Sequence, residues 1–145
     1  MAKVSRKTIR QALVTGLTTA LTASVNAARV VGYQPTMQGD FPWVAVLSDG
    51  SQRPELTFQG TEAKFFLNIN LFVVRKATGL TEEQAESLLD DLEALVAQYI
   101  ETNRGNATNW NALEYADRSR VSWFIPQGGE TYLMESIPIV VTVLL

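Results

Sequence analysis

The feature that most constrains this fold is the apolar segment at residues 130–145, ETYLMESIPIVVTVLL. Val, Ile, Thr and Tyr dominate it, which is typical of a β-strand rather than a helix. From Ile137 onward both faces of such a strand are nearly all apolar, and no charged residue follows Glu135. An exposed strand of this kind is prone to aggregate. We therefore expect both of its faces to be covered, by the rest of the chain or by a second copy.

Composition limits the class of protein. The 145 residues are 46% hydrophobic and 19% charged, which fits a single domain spanning residues 1–145 with a sizeable core. The net charge of −3 argues against a nucleic-acid clamp, which would usually be basic. Cys and His are both absent. Their absence excludes disulfides, thiolate nucleophiles, Cys/His zinc sites and Ser–His triads.

The first element is a predicted amphipathic helix. Apolar residues recur every fourth position from Ile9 to Val25, so we expect a helix from near Ser5 that ends before Gly32. A basic start of this kind also occurs in signal peptides, but the Thr and Ser residues make this run a poor hydrophobic region for one, so an intracellular amphipathic helix is favoured. The run is too polar for a membrane span. Four basic residues precede or occupy the first turns, either as a solvated end or as a patch that meets an acidic neighbour: Lys3, Arg6, Lys7 and Arg10.

Four strands are predicted. Each is a run rich in β-branched or aromatic residues bounded by turn formers, and they lie at residues 43–47, 65–76, 118–125 and 130–145. The polar segment at residues 48–64 is long for a hairpin connection, so we expect an extended loop or arm there, with Arg53 in it, that a partner could order. A Pro-Gln-Gly-Gly turn at residues 126–129 is expected to join the last two strands.

A second amphipathic helix is predicted at residues 81–102, where a capping box precedes a 3.6-residue apolar period. Residues 110–115 are expected to add a short helical turn. Seven acidic residues and no basic one lie between Glu82 and Glu101. Those beyond the first turn are interpreted either as a solvated face or as a surface that meets basic residues of a neighbour: Glu86, Asp90, Asp91 and Glu93.

The order of elements is helix, strand, strand, helix, strand, strand. This order predicts an α+β fold, with a four-stranded mainly antiparallel sheet packed by the two amphipathic helices.

Motifs for catalysis or nucleotide binding are missing, since no G-x-G-x-x-G, G-x-x-x-x-G-K or G-x-S-x-G pattern occurs. Glu86, Asp90 and Glu93 share a helix face and could hold a divalent cation, but helical carboxylates without loop carbonyls seldom make a strong site. The acids do not form the cleft pair that glycoside hydrolysis needs, and no Ser or Thr has an activating His or Lys nearby. We expect no enzyme activity, no cofactor and no metal.

Along almost the whole chain, the elements and several residues follow the pattern of a known family. An amphipathic helix precedes a Pro-rich approach to a short strand, a polar loop, a long apolar strand and an acidic helix; the marker residues are Pro35, Pro42, Trp110, Gly128, Gly129, Tyr132 and Glu135. This pattern resembles the tail terminator and head–tail joining proteins of long-tailed bacteriophages, and the lambda tail terminator group most of all.

The resemblance implies a virion protein, assembled in the host cytoplasm, that forms a closed ring of about six copies. The ring caps the tail tube, ends its polymerisation and binds the head connector, while DNA passes through the lumen. Family members have no catalytic residues and no membrane partner. The oppositely charged helices suit contacts between copies, and Arg118 and Arg120 could face the lumen, a neighbour's acids or solvent. Two alternatives stay open, namely another neck or tail subunit and a small α+β module that binds a ligand or peptide.

Overall fold

The structure, a computed structural model, describes residues 5–22, 28–35, 42–53, 62–74, 82–106, 108–124 and 131–144. Helices and strands follow one another as α1 (Arg6–Thr22), β1 (Arg29–Val31), β2 (Trp43–Gln52), β3 (Glu62–Val74), α2 (Glu82–Thr102), β4 (Ala112–Tyr115), β5 (Arg120–Phe124) and β6 (Tyr132–Leu144). Neither described helix is both long enough and apolar enough to cross a membrane.

The strands form one six-stranded mixed sheet in the order β1-β2-β3-β6-β4, with β5 also paired to β6. At its centre β3 and β6 pair antiparallel from Glu62 opposite Leu144 to Val74 opposite Tyr132. At one edge β1 lies parallel to β2. The fold is α+β with two helices, as predicted, but the predicted four-stranded mainly antiparallel sheet in the order α-β-β-α-β-β is wrong.

Strand β1 was missed because three residues are too few to show a period of two. Pairing with the start of β2 holds β1 in an extended conformation. The Arg29 amide donates to the Pro42 carbonyl at 2.9 Å as part of this contact. Helix α1 begins as expected, where Ser5 Oγ accepts a hydrogen bond from the Thr8 amide at 3.2 Å. Its described part ends at Thr22, in agreement with the predicted end before Gly32.

Strand β4 replaces the helical turn that was predicted at residues 110–115. Long-range pairing with β6 overrides the local preference. The Asn111 amide donates to the Thr142 carbonyl at 2.9 Å, and the Asn111 side-chain oxygen accepts from the Leu144 amide at 2.8 Å. These bonds lock the chain into an extended course before β4 begins.

Strands β4 and β5 lie end to end along one edge of β6. Residues 116–119 separate them and lie opposite Ile137 and Pro138, so the edge bulges there. Pro138 has no amide hydrogen to donate, although its carbonyl accepts from the Ala116 amide at 2.9 Å. The edge strand is therefore interrupted where β6 can donate nothing to it.

The predicted arm at residues 48–64 is shorter than expected, because β2 continues to Gln52 and β3 begins at Glu62. The Ser-Asp-Gly-Ser sequence produces a β-bulge rather than the end of the strand. Gly50 has a φ of 129°, which favours glycine, and the register with β3 shifts there. Residues 54–61 of the arm, Lys3, Thr81 of the capping box and the predicted turn at 126–129 lie outside the described residues.

Both helices pack on the same face of the sheet and form its main core. The described residues of their predicted apolar stripes are buried or partly buried there, which confirms the two periodicities within the described residues. Burying a Leu side chain of this kind contributes about 1.5–3 kcal/mol. The buried residues are Ile9, Leu13, Leu17 and Leu21 of α1 and Ala85, Leu89, Leu92 and Val96 of α2.

The terminal strand β6 is covered unequally. The side chains that face the helices are buried, from Leu133 to Val143. On the opposite face Met134, Pro138 and Val140 are half-buried, and Leu144 is 62% exposed. A smaller apolar cluster covers part of that second face, with Ala45, Phe72, Val74 and Tyr132 buried in it. Complete cover on both faces is thus not provided by the described part of this chain.

Candidate interaction surface

The sheet extends further to one side than the helices that cover it. Helix α1 packs on β1 and β2, and α2 packs on β3 and β6, so β4 and β5 project beyond the helix layer. On the helix side of these strands Leu113 is buried, whereas Tyr115, Val121 and Trp123 are 48%, 54% and 49% exposed. Each pairs with a buried residue of β6, which places all three on the core face of the sheet. We call these three side chains the apolar ledge.

A groove runs between the C-terminal half of α2 and β4. Its volume is about 570 Å³. Ile100 and Leu113 are buried at its base, while Glu101, Glu114 and Tyr115 are exposed along it. We call it the α2–β4 groove, and its lining is Ala97, Ile100, Glu101, Arg104, Leu113, Glu114 and Tyr115.

The acidic residues of α2 extend this groove along the helix. Successive members of the set Glu86, Asp90, Glu93 and Glu101 are four, three and eight residues apart, and eight is two four-residue steps. They therefore share the side of α2 that faces β4. We call them the acidic row. The other side of α2 faces α1, where Leu95 and Tyr99 line a crevice with Gly16. Asp91 follows Asp90 by roughly 100° around the helix and lies outside the row.

A buried carboxylate adds to the negative charge. Glu135 is 6% exposed on the core face of β6, and the Ser119 hydroxyl donates to its Oε2 at 2.6 Å. Burial raises the pKa of Glu93, and the charges of Glu135 and Asp90 raise that pKa further. Glu93 is therefore not part of a fully solvated face, because it is half-buried and near the Glu135 charge.

The same charges act on the apolar ledge. Burial raises the pKa of Tyr115, and so, in decreasing order, do the charges of Glu93, Glu101 and Glu135. The β4–β5 edge of the molecule thus combines exposed aromatic surface with a concentrated negative potential.

The basic residues of α1 lie toward the opposite edge of the sheet. Arg6 and Lys7 are exposed, and α1 contains no acidic residue. Arg10 is half-buried, and its Nη1 donates to Ser48 Oγ of β2 at 2.9 Å. Gly32, just after β1, has Arg10 as a close neighbour, whereas Gly16 on the other side of α1 faces α2. Arg10 is therefore hydrogen-bonded to the sheet of its own chain, while Arg6 and Lys7 are exposed.

The other predicted basic residues do not join either group. Arg53 lies with its guanidinium 5.3 Å from the centre of the Phe65 ring. Arg118 and Arg120 are exposed and line a separate concavity of about 590 Å³ with Met134. Since Arg120 pairs with Ser136, it points to the second face of the sheet and away from the acidic row.

Sequence reasoning found the acidic row through its helical spacing but missed the apolar ledge. Tyr115 was assigned to a helical turn, and the alternation of Val121 and Trp123 suggested an ordinary strand face. Ser119 and its bond to Glu135 carried no sequence signal. Among the residues that the structure describes, no three acidic side chains are grouped closely enough to hold a metal ion.

No protein-family model matches this chain, and a search of curated proteins found no match.

Proposed function

We propose that this protein is a structural subunit of a bacteriophage tail or neck, and that about six copies form a ring that ends the tail tube and joins it to the head connector. The observation that carries the proposal is the opposite charge of the two sides of the helix layer. The acidic row lies on the side of the helix layer toward β4 and β5, and Arg6 and Lys7 lie on α1 at the opposite side, above β1 and β2.

Opposite charges on different surfaces of one chain favour a head-to-tail contact. A two-fold contact through either charged side alone would bring like charges together, which is unfavourable. A head-to-tail contact repeats from copy to copy and closes into a ring when the rotation between copies permits it. Charge complementarity also fixes the orientation of each incoming copy. The geometry of the charges therefore suits a ring better than a symmetric dimer.

The sequence pattern supports the same role, although the sheet has six strands rather than the predicted four. The amphipathic first helix, the acidic second helix and the long terminal strand are present, but the turn after Trp110 is strand β4. The net charge of −3 suits a lumen through which DNA passes without being held.

Electron microscopy of purified phage tail tubes tests the proposal. We expect the protein to bind at one end of the tubes as a ring and to prevent their elongation when tube subunits are added. Asp90→Lys should reduce this end-binding, and Asp91→Lys is the matched control because both carboxylates are exposed and adjacent. Binding along the tube walls, or no binding, would contradict the proposal.

The α2–β4 groove favours one other role, a small module that binds a ligand or peptide. Its volume of about 570 Å³ falls in the range of small-molecule sites. A protein that stays monomeric and does not bind tail tubes would support this alternative.

A further inference from the structure

We propose that the α2–β4 groove and the apolar ledge receive the first turns of helix α1 from a second copy of this chain. This inference rests on the proposed function and identifies the two surfaces that meet in the ring. It is carried by the width of the helix layer, the exposed ledge and the charge of the groove.

The width of the two layers leaves room for part of another helix. Strands are spaced about 4.8 Å apart and a helix with its side chains is about 10 Å wide, so two helices cover four strands. Here α1 and α2 cover β1, β2, β3 and β6, and β4 and β5 add one more strand position. A helix from a second copy, placed beside α2, would continue the layer over this position.

The apolar ledge gives such a helix a surface to bury. Tyr115 of β4 and Val121 and Trp123 of β5 are each about half exposed on the core face of the sheet edge. Val121 and Trp123 are neighbours on that face, and Tyr115 lies four β6 positions from Val121, or about 13 Å. Large apolar side chains that are exposed side by side mark interaction sites more often than single exposed residues do. Tyr and Trp are also enriched among residues that dominate binding energy.

The charge of the groove selects the helix that can bind there. The side of α2 that borders the groove carries the four carboxylates of the acidic row. Arg104 is the basic residue among those that line the groove. Burying these carboxylates under an uncharged helix would leave them unpaired, which is costly. A basic helix would pair them instead.

Helix α1 has the required charge. Arg6, Lys7 and Arg10 occupy its first turns and no acidic residue opposes them. Arg6 and Lys7 are exposed, so both are available to a second copy. By contrast, Arg118 and Arg120 belong to the receiving edge itself and could not reach their own groove from the second face.

Reciprocal charge reversal tests this contact. The groove variant carries Glu86→Lys, Asp90→Lys and Glu101→Lys, which changes the formal charge of the acidic row from −4 to +2. The helix variant carries Arg6→Glu and Lys7→Glu, which changes the formal charge of Arg6, Lys7 and Arg10 together from +3 to −1. In each variant alone the two surfaces have the same sign, so native mass spectrometry should show at least a tenfold loss of ring. An equimolar mixture restores opposite charges at every contact when the two variants alternate. We therefore expect the mixture to recover rings with an even number of copies.

Controls separate charge from fold. All five reversed residues are exposed, so each variant should unfold cooperatively like the wild type. Asp91→Lys changes the net charge of α2 without altering the row and should assemble normally. For the apolar part, Trp123→Ser should reduce ring formation, whereas Leu144→Ser, which removes a side chain that is 62% exposed on the other face, should not.

The outcomes distinguish this contact from the proposed function. Two results would refute this contact while leaving the proposed ring supported by the wild type. One is that both charge variants form rings as the wild type does. The other is that the equimolar mixture of the variants fails to form rings. If the wild type remains a monomer with and without tail tubes, both the contact and the ring are refuted.

Discussion

Substituting Gly16 tests whether α1 and α2 pack as closely as the structure indicates. A Cβ at Gly16 would lie 2.7 Å from both Cε2 and Cζ of Tyr99, and nearer still to the hydroxyl oxygen. Ordinary carbon contacts begin near 3.5 Å, so the Tyr99 ring, which is 9% exposed, must move. Overpacking of this kind costs about 1–3 kcal/mol, while Ala gains about 1 kcal/mol over Gly in a helix. We expect Gly16→Ala to lower the free energy of unfolding by about 1 kcal/mol.

Urea unfolding, at one protein concentration for all variants, measures this change, and Thr15→Ala is the control. Thr15 is exposed one residue away, so its replacement should stabilise the helix by about 0.5 kcal/mol. In a Tyr99→Ala background the obstruction is gone, and Gly16→Ala should then stabilise by about 1 kcal/mol. A Gly16→Ala protein that is more stable than the wild type by this amount would refute the close helix contact.

Three further predictions concern the core and the carboxylates. Trp110 is 2% exposed, and its indole N–H donates to the Asn103 carbonyl at 2.7 Å. Trp110→Phe removes this donor and leaves a cavity, so we expect the free energy of unfolding in urea to fall by about 2–3 kcal/mol. A fall below about 1 kcal/mol would contradict this prediction. Ser119→Ala removes a hydrogen-bond donor to the buried Glu135 carboxylate and should lower the free energy of unfolding by about 1.5–3 kcal/mol. An unchanged free energy of unfolding would contradict this prediction. Burial raises the folded pKa of Glu93 above its usual 4.5, so this carboxyl favours folding below pH 4.5, and that contribution is lost as the pH rises through the raised pKa. Glu93→Gln should therefore gain stability relative to wild type across that interval, and a difference that does not vary with pH would count against the burial.

The sequence predicted the elements whose own residues specify them. Helices α1 and α2 and strands β3 and β6 are long, and their apolar periods are clear over many residues. Strands β1 and β4 have three and four residues, and it is pairing with a distant strand that makes them extended. Short elements of this kind cannot be identified from local pattern alone.

One part of the candidate surface, the acidic side of α2, could be predicted from the sequence, and the apolar ledge could not. The acidic row follows from helical spacing, so Glu86, Asp90 and Glu93 could be grouped in advance. The apolar ledge depends on how many strands the two helices cover, which is a property of the assembled layers.

The mass of the protein in solution tests the central claim most directly. Native mass spectrometry over a range of concentrations, with and without purified tail tubes, would count the copies in each species. The account predicts one closed species of about six copies, formed alone or on the tubes, and reduced by Asp90→Lys but not by Asp91→Lys. A monomer at every concentration, unchanged by tail tubes, would contradict it.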